Sequence, residues 1–462
     1  MSRRVCCLGV GAAVALGVAA YLGLHFLEPP LAITWSYAHL GRRAALPWIA
    51  AALVGLLPAG TALAWSRPWA QRALGHLRWR TLLVGGALLG AILLPLGLSF
   101  PAPPFSVDVV FFAYAVKTGT GENARWDLLL RTFKHLSSWV RPPWDALSVI
   151  HVANGVLATV AFVALVLSVR RLTRTRGEAA AATALCSTAF GTLQLAMGYS
   201  DIYPFPLAVT AVYCATALGA LAGDVHPAWP LAIAALAPFW YVALVLLLPS
   251  ALIVVFESLR RPRGLASMAV AGAVALGLAG LATVPGFGQP FAWRAFLAAA
   301  VRDSKYELGL DPNSSLLPRD FMLSGTHARE VLHTLLLVDG IGWILLLGPG
   351  AWLALRCARD GWDARAGFLA LLVLPGLAYL IAMDPLFGSY ADWDLFSYGA
   401  VASSLLGAYA FVLWGRECPR AFSALLGLCL AGAAVHLLAR LNALDVGLAR
   451  HLAESPYHIA TQ

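Results

Sequence analysis

Long apolar runs recur along the whole chain, and they constrain the fold more than any other feature of the sequence. Each run is roughly 20 residues long, the length that a helix needs to cross about 30 Å of hydrocarbon. Lipid offers no partner to open backbone groups, so such runs must be helices. Charged residues make up only 12% of the chain, against about 25% in a typical soluble domain. The sequence therefore predicts an all-α, polytopic transmembrane bundle of about 12–13 helices.

Short arginine clusters between the runs set the predicted orientation. Cytoplasmic loops carry an excess of Lys and Arg, and such clusters occur at residues 3–4, 170–176, 260–263, 356–365 and 416–420. They predict a multi-pass membrane protein whose N-terminus is cytoplasmic. The net charge of +9 does not predict a nucleic-acid partner, because the chain lacks the basic, polar face that nucleic acid requires.

One apolar stretch does not fit the simple alternation of spans. Residues 230–256 are long enough for one span, yet both flanks are predicted to be cytoplasmic. Two short helices hinged near Pro238 resolve the conflict, because proline removes a backbone donor and breaks a helix. A broken helix at membrane depth must be buried in protein or line a cavity. We therefore predict a cavity wall at residues 238–241. The other predicted spans lie near 5–26, 44–65, 81–100, 146–169, 180–198, 205–222, 266–284, 335–355, 367–383, 396–415 and 421–440.

Polar residues concentrate in four segments that this topology places outside the cytoplasm: 101–143, the turn around Asp201, 286–333 and 384–397. In the first, apolar residues recur at helical spacing from Trp126 to Val140, with cations between them. That pattern is typical of a helix lying in the membrane interface, and a solvated cap is the alternative.

Asp108 and Asp201 are the candidate catalytic residues. Asp108 follows the end of a span among apolar neighbours, where a carboxylate suits the role of general base; an ordinary helix N-cap is the alternative. Asp201 is held in a short turn between two spans, where it is a candidate metal or substrate ligand. Turn chemistry also explains an aspartate beside serine and proline.

A phosphate-binding site is the second candidate feature. Asp392 and Asp394 bracket a tryptophan, and paired carboxylates can hold a divalent cation, such as Mg or Mn, against phosphates. Together with Asp201 they are the candidate metal ligands. The third outside segment supplies cations that would bind a phosphate, although anchoring to anionic lipids is their alternative role. These cations are Arg302, Lys305, Arg319, His327 and Arg329.

The cysteines predict no site. The chain has seven of them, scattered mostly within or beside spans and without CxxC spacing. Neither a metal knuckle nor a disulfide framework is therefore expected.

Three local patterns give the chain a resemblance to a known class. Residues 198–204 (GYSDIYP), 321–333 (FMLSGTHAREVLH) and 384–397 (DPLFGSYADWDLFS) are similar to motifs of a group of bacterial membrane proteins in the GT-C glycosyltransferase superfamily. The pattern at 384–397 is the best match. In the pattern at 198–204, Asp201 replaces a glutamate, and in the pattern at 321–333, His333 replaces an asparagine. The resemblance covers residues 81–440. It leaves 1–80 as two added N-terminal helices with a basic cytoplasmic loop, and 441–462 as an outside tail.

The resemblance implies a function. GT-C enzymes transfer a sugar from a polyprenyl-phosphate carrier at the extracytoplasmic face of the membrane, here the bacterial cytoplasmic (inner) membrane. Their essential acidic residues lie on the outside loops, which by position maps the catalytic roles onto Asp108 and Asp201. Tyr203, in the first motif, and Asp392 and Asp394, in the last, are then expected among the substrate-binding residues. The resemblance implies no acceptor.

Two other classes stay open. A non-enzymatic membrane scaffold would tolerate loss of the acidic residues. A transporter of a lipid-linked or anionic substrate would need ionisable residues within the membrane, whereas the predicted spans are almost free of charge. A polymerase or ligase of lipid-linked glycans is a neighbouring enzyme class, because it would use the same donor and the same cations.

Overall fold

The computed structural model describes most of the chain from residue 146 onward and the N-terminal helix. The described ranges are 3–24, 146–187, 203–261, 264–282, 324–382 and 397–454, with a few residues between 129 and 138 and Ala189. Within these ranges every regular element is a helix. The helices are α1 (Arg3–Leu24), α2 (Ala146–Leu172), α3 (Arg176–Ser187), α4 (Pro204–Ala222), α5 (Ala228–Trp240), α6 (Leu248–Leu259), α7 (Gly264–Ala282), α8 (Gly325–Leu345), α9 (Ala351–Asp360), α10 (Ala364–Ala382), α11 (Ala400–Glu417) and α12 (Pro419–Glu454).

Five described helical segments are long and apolar enough to cross a membrane, which confirms the all-α, multi-pass prediction at that level. They are Val152–Leu172, Pro204–Ala222, Thr334–Asp360, Ala364–Ala382 and Pro419–His436. The predicted spans at 44–65 and 81–100, and the predicted division of the chain at residue 80, lie outside the described residues. The structure describes only a few positions of the helix predicted to lie in the membrane interface from Trp126 to Val140. They are helical, and Leu129 and Phe133, four residues apart, are buried in the core.

The centre of the bundle is α11, which packs against α3, α8, α10 and α12. Its aromatic side chains Phe411 and Trp414 are fully buried. Close approach to α8 depends on Gly407, since a Cβ atom there would lie 2.8 Å from the carbonyl oxygen of Gly342. Small residues at such contacts are how membrane helices bring their backbones together.

The arginine clusters meet at one end of the bundle, which we call the basic end. Arg416 donates two hydrogen bonds to Glu178, at 2.8 and 2.9 Å, and so joins the end of α11 to the start of α3. Arg356, near the end of α9, pairs with Glu417 at 2.9 Å. Burial alone would raise the pKa of Glu178, but hydrogen bonds from Arg416 and from the backbone of Arg174 and Thr175 outweigh it, so the pKa is lowered.

The stretch predicted to hinge near Pro238 is a broken helical hairpin. Helix α5 ends at Trp240, Tyr241 is extended, and a 3-10 helix over Val242–Leu247 leads into α6. The break falls three residues after Pro238, which lies inside the last turn of α5 and removes one backbone donor from it. Arg261, just beyond α6, donates to the carbonyl oxygens of Ala220 and Leu221 at 2.7 and 2.6 Å. The end of the hairpin thus lies beside the end of α4, close to its own start.

Two features differ from the sequence predictions. Helix α12 continues to Glu454, past the predicted end at 440, because no proline stops it there. The sequence predicted no disulfide framework, yet one pair of cysteines is bonded. Cys7 and Cys418 form this bond, with their Cα atoms 6.0 Å apart and a sequence separation of 411. Spacing rules miss such a pair, because it depends on the packing of α1 against α12.

Cysteine labelling in intact membranes tests the hairpin. His226→Cys before α5 and Arg260→Cys after α6, each in a chain with its free cysteines replaced, are expected to react with a membrane-impermeant maleimide from the same side. The reason is that the break at Tyr241 returns the chain to the face from which it entered. Labelling of the two variants from opposite sides would show instead that 228–259 crosses the membrane once.

A candidate functional site at the tyrosine end

Three buried tyrosines mark the end of the bundle opposite the arginines, which we call the tyrosine end. The ring of Tyr241 lies edge-on to the rings of Tyr203 and Tyr398, with centroids 6.1 and 6.0 Å apart. Edge-to-face pairs at this distance contribute about 0.5–1.5 kcal/mol beyond their area burial. The three rings therefore form one continuous contact between separate parts of the chain.

Local sequence explains where each tyrosine lies. Tyr203 immediately precedes Pro204, the first residue of α4, and proline is favoured at a helix start. Tyr241 is the extended residue of the hairpin break, with φ −151° and ψ 111°. The cavity wall at residues 238–241 stays a prediction. Tyr398 lies just before α11. Each tyrosine thus lies at a helix end or at a break.

His327 joins α8 to α10. Ser324 caps α8 by accepting a hydrogen bond from the backbone N–H of His327 at 3.1 Å, as expected of an N-cap serine. The ring nitrogen Nε2 of His327 lies 2.7 Å from the carbonyl oxygen of Ile381, and the residue is only 2% exposed. The structure gives His327 a positioning role, and its contact with a phosphate stays a prediction.

Arg329 is the predicted phosphate-binding residue that the structure leaves open to solvent. It is exposed, and its Nε donates to the carbonyl oxygen of Gly325 at 3.3 Å. A guanidinium has five N–H donors, so this bond leaves others directed away from the helix. That geometry suits an anionic ligand, which stays a prediction.

A small cavity lies beneath these residues, between α8, α10 and the start of α11. Its volume is about 60 Å³, and Thr334, Leu380, Tyr398 and Ser403 are among the residues that line it. A water needs about 10–15 Å³ of such space, so the cavity has room for a few water molecules or a small ion.

The remaining candidate residues cannot be placed in this geometry. Among the described residues, no group of three or more His, Cys, Asp and Glu side chains could hold a metal ion, and the predicted metal ligands do not belong to that part of the chain. The candidates outside the described residues are Asp108, Asp201, Arg302, Lys305, Arg319, Asp392 and Asp394.

A buried carboxylate that the sequence did not single out lies within a helical segment apolar enough to span a membrane. Asp339 is 2% exposed and lies where α8 kinks, within the apolar segment Thr334–Asp360. Its carboxylate accepts hydrogen bonds from the hydroxyls of Ser403 and Ser404 on α11, at 2.5 and 2.9 Å. A single acidic residue in an apolar run was the available signal. The serine pair on another helix could not have been assigned to it.

Comparisons with protein-family models, with curated proteins and with solved structures returned no match. The functional argument therefore depends on the sequence motifs and on the geometry of the two ends of the bundle.

Substitution of Tyr241 tests the packing of the tyrosine end. Tyr241→Ala is expected to lower the stability of the detergent-solubilised protein by about 3 kcal/mol, because it leaves a cavity between two aromatic rings. Tyr241→Phe keeps the ring and serves as the matched control, with an expected loss of about 1 kcal/mol or less. Thermal unfolding followed by tryptophan fluorescence measures both. Equal stability of Tyr241→Ala and the wild type would show that the rings do not hold this end together.

Proposed function

We propose that the protein is a membrane glycosyltransferase that moves a sugar from a polyprenyl-phosphate carrier to an acceptor at the extracytoplasmic face. The acidic candidates would serve in catalysis, and the cations of the third outside segment would bind the carrier phosphate. The basic end would face the cytoplasm, following the excess of Lys and Arg in cytoplasmic loops. The tyrosine end would then face outward.

The observation that supports this proposal is the convergence of the outside segments. Tyr203 and Tyr398, the borders of the second and fourth segments, both contact Tyr241. His327 lies near the end of the third segment, and Ile381 lies just before the start of the fourth. The contact of the His327 ring with the Ile381 carbonyl joins these two segment borders. Described residues at the borders of three segments that are far apart in sequence thus lie at the tyrosine end.

Chain connectivity limits how far two candidate carboxylates can lie from these tyrosines. Asp201 is two residues from Tyr203, and Asp394 is four residues from Tyr398. Consecutive Cα atoms are 3.8 Å apart, so the Cα atoms of these aspartates lie within about 8 Å and about 15 Å of those of the two tyrosines. A site that needs carboxylates from two different segments is compatible with these limits.

The chemistry of the proposed reaction matches the residue types. The carrier phosphate is the leaving group, and cations that neutralise its developing charge lower the barrier. Arg329 is an exposed cation of this kind in the described part of the third segment. The acceptor hydroxyl needs a general base, the role proposed for Asp108, with Asp201 as the second acidic residue.

The hairpin offers a surface for the isoprenoid tail. Leu248, Leu252 and Phe256 recur every four residues on α6 and are exposed, so they form an apolar stripe along one face of the helix. The stripe begins seven residues after Tyr241. A carrier lipid lying along it would have its phosphate near the tyrosine end.

A transporter of a lipid-linked or anionic substrate is the second candidate function. The observation that favours it is Asp339, because ionisable residues buried within membrane spans commonly mark ion or substrate pathways.

Binding of the carrier tests the proposed site. Undecaprenyl phosphate is expected to raise the thermal stability of the purified protein, whereas undecaprenol is not, because only the former carries the phosphate that the cations bind. Arg302→Ala and Arg319→Ala are expected to abolish the effect, and Arg420→Ala, an exposed arginine of the basic end, is the matched control that keeps it. Equal stabilisation by the neutral lipid, or an equal loss in Arg420→Ala, would contradict the proposal.

Turnover separates an enzyme from a transporter. We incubate the wild type with a pool of polyprenyl-phosphate sugars and bacterial membrane acceptors. It is expected to release free polyprenyl phosphate, which mass spectrometry measures. Asp108→Asn is expected to bind the carrier but to release none. Carrier binding without any release by the wild type would favour the transporter.

A further inference from the structure

The carboxylate of Asp339 accepts hydrogen bonds from two hydroxyls on α11 and from one backbone N–H on its own helix. Its Oδ2 accepts from Ser403 and Ser404, and its Oδ1 accepts from the backbone N–H of Gly342 at 3.1 Å. Glycine is required at position 342, because a Cβ atom there would overlap the carboxylate. The kink in α8 and the serine pair on α11 therefore build one enclosed polar cluster inside an apolar span.

The charge of this cluster is not balanced within the described part of the protein. Asp339 forms hydrogen bonds there but no ion pair. The helices packed against α8 are α1, α3, α10, α11 and α12. Burying an unpaired charge is costly, and in membrane proteins such a charge commonly has a counter-ion or lines an ion pathway.

The hydroxyls of the cluster can turn toward a cation. Ser403 Oγ lies 3.3 Å from the carbonyl oxygen of Ala400 as well as near Asp339. If its proton pointed to Ala400, a lone pair of Oγ would face the carboxylate, since a hydroxyl has one donor and two acceptor positions. Ser403 Oγ and Asp339 Oδ2 would then both present lone pairs to a cation, while Ser404 and Gly342 continue to donate to the carboxylate.

A cavity adjoins the cluster on the side of the tyrosine end. Ser403 and Ala400 line the cavity of about 60 Å³, together with Thr334 and Tyr398. The cavity thus adjoins the polar cluster on one side and Tyr398 on the other.

We propose that Asp339, Ser403 and Ser404 form a binding site for a small monovalent cation, Na⁺, reached through this cavity. One carboxylate balances one positive charge, whereas divalent ions are usually bound by more acidic ligands. Oxygen ligands at a break in a membrane helix are a known way of binding Na⁺. The closely spaced oxygens favour a small ion. The site is independent of the proposed glycosyl transfer.

Thermal stability in sodium tests the site. The protein is purified in choline chloride, and NaCl replaces choline chloride at constant ionic strength. A saturable rise in apparent Tm is expected with Na⁺, at lower concentrations than with K⁺.

Asp339→Asn, which keeps the helix cap, is expected to remove the rise. Ser403→Ala is expected to weaken sodium affinity about tenfold or more. Asp363→Asn, a carboxylate that accepts from Tyr409 at the basic end, is the matched control that keeps it.

A direct measurement of sodium binding tests the site when a variant is too unstable for its Tm to be compared with that of the wild type. Equilibrium dialysis with radioactive sodium is expected to show one saturable site in the wild type and in Asp363→Asn. An equal effect of Na⁺ and choline on the wild type, or sodium binding that persists in Asp339→Asn, would overturn the proposal. A higher Tm of Asp339→Asn without any sodium dependence of the wild type would show that Asp339 only caps the helix.

Discussion

Lipid supplies no hydrogen-bond partners, so each break in a membrane helix must be satisfied by the protein itself. At Tyr241 the backbone N–H reaches the carbonyl oxygen of Ala237 at 3.1 Å, and the carbonyl accepts from Leu244 at 3.0 Å. At Asp339 the side chain replaces the missing backbone partner by accepting from Gly342. Both breaks are buried in the core of the bundle. This requirement explains why the buried carboxylate of Asp339 occurs where a helix is interrupted.

The two breaks place aromatic and polar side chains toward the same end of the bundle. Tyr241 contacts the tyrosines that border two outside segments, and Asp339 binds the serines five and six residues after Tyr398. The opposite end is held by ion pairs between arginines and carboxylates, such as Arg416 with Glu178. The fold is thus asymmetric: one end is fixed by charge pairs, and the other combines aromatic packing with a small cavity.

Much of the helical architecture could be predicted, because apolar runs and arginine clusters act locally. The predicted span at 205–222 differs from α4 by one residue at its start, and the hinge near Pro238 is three residues from the observed break. The Asp339–Ser403 contact and the Cys7–Cys418 bond could not be predicted, since each joins residues from different helices. Among the residues of the candidate site, the sequence identified Tyr203. Its contact with Tyr241 and the burial of His327 could not be predicted, because both depend on residues of other helices.

The central claim is that the second and fourth outside segments meet over the three tyrosines. Cross-linking tests it most directly. Asp201→Cys combined with Asp394→Cys, in a chain without other free cysteines, is treated with a short bismaleimide in membranes. Glu178→Cys with Arg416→Cys, a pair in contact at the basic end, is the positive control. The account predicts an intramolecular cross-link in both pairs. Cross-linking of the control pair alone would contradict the convergence of the acidic segments at one site.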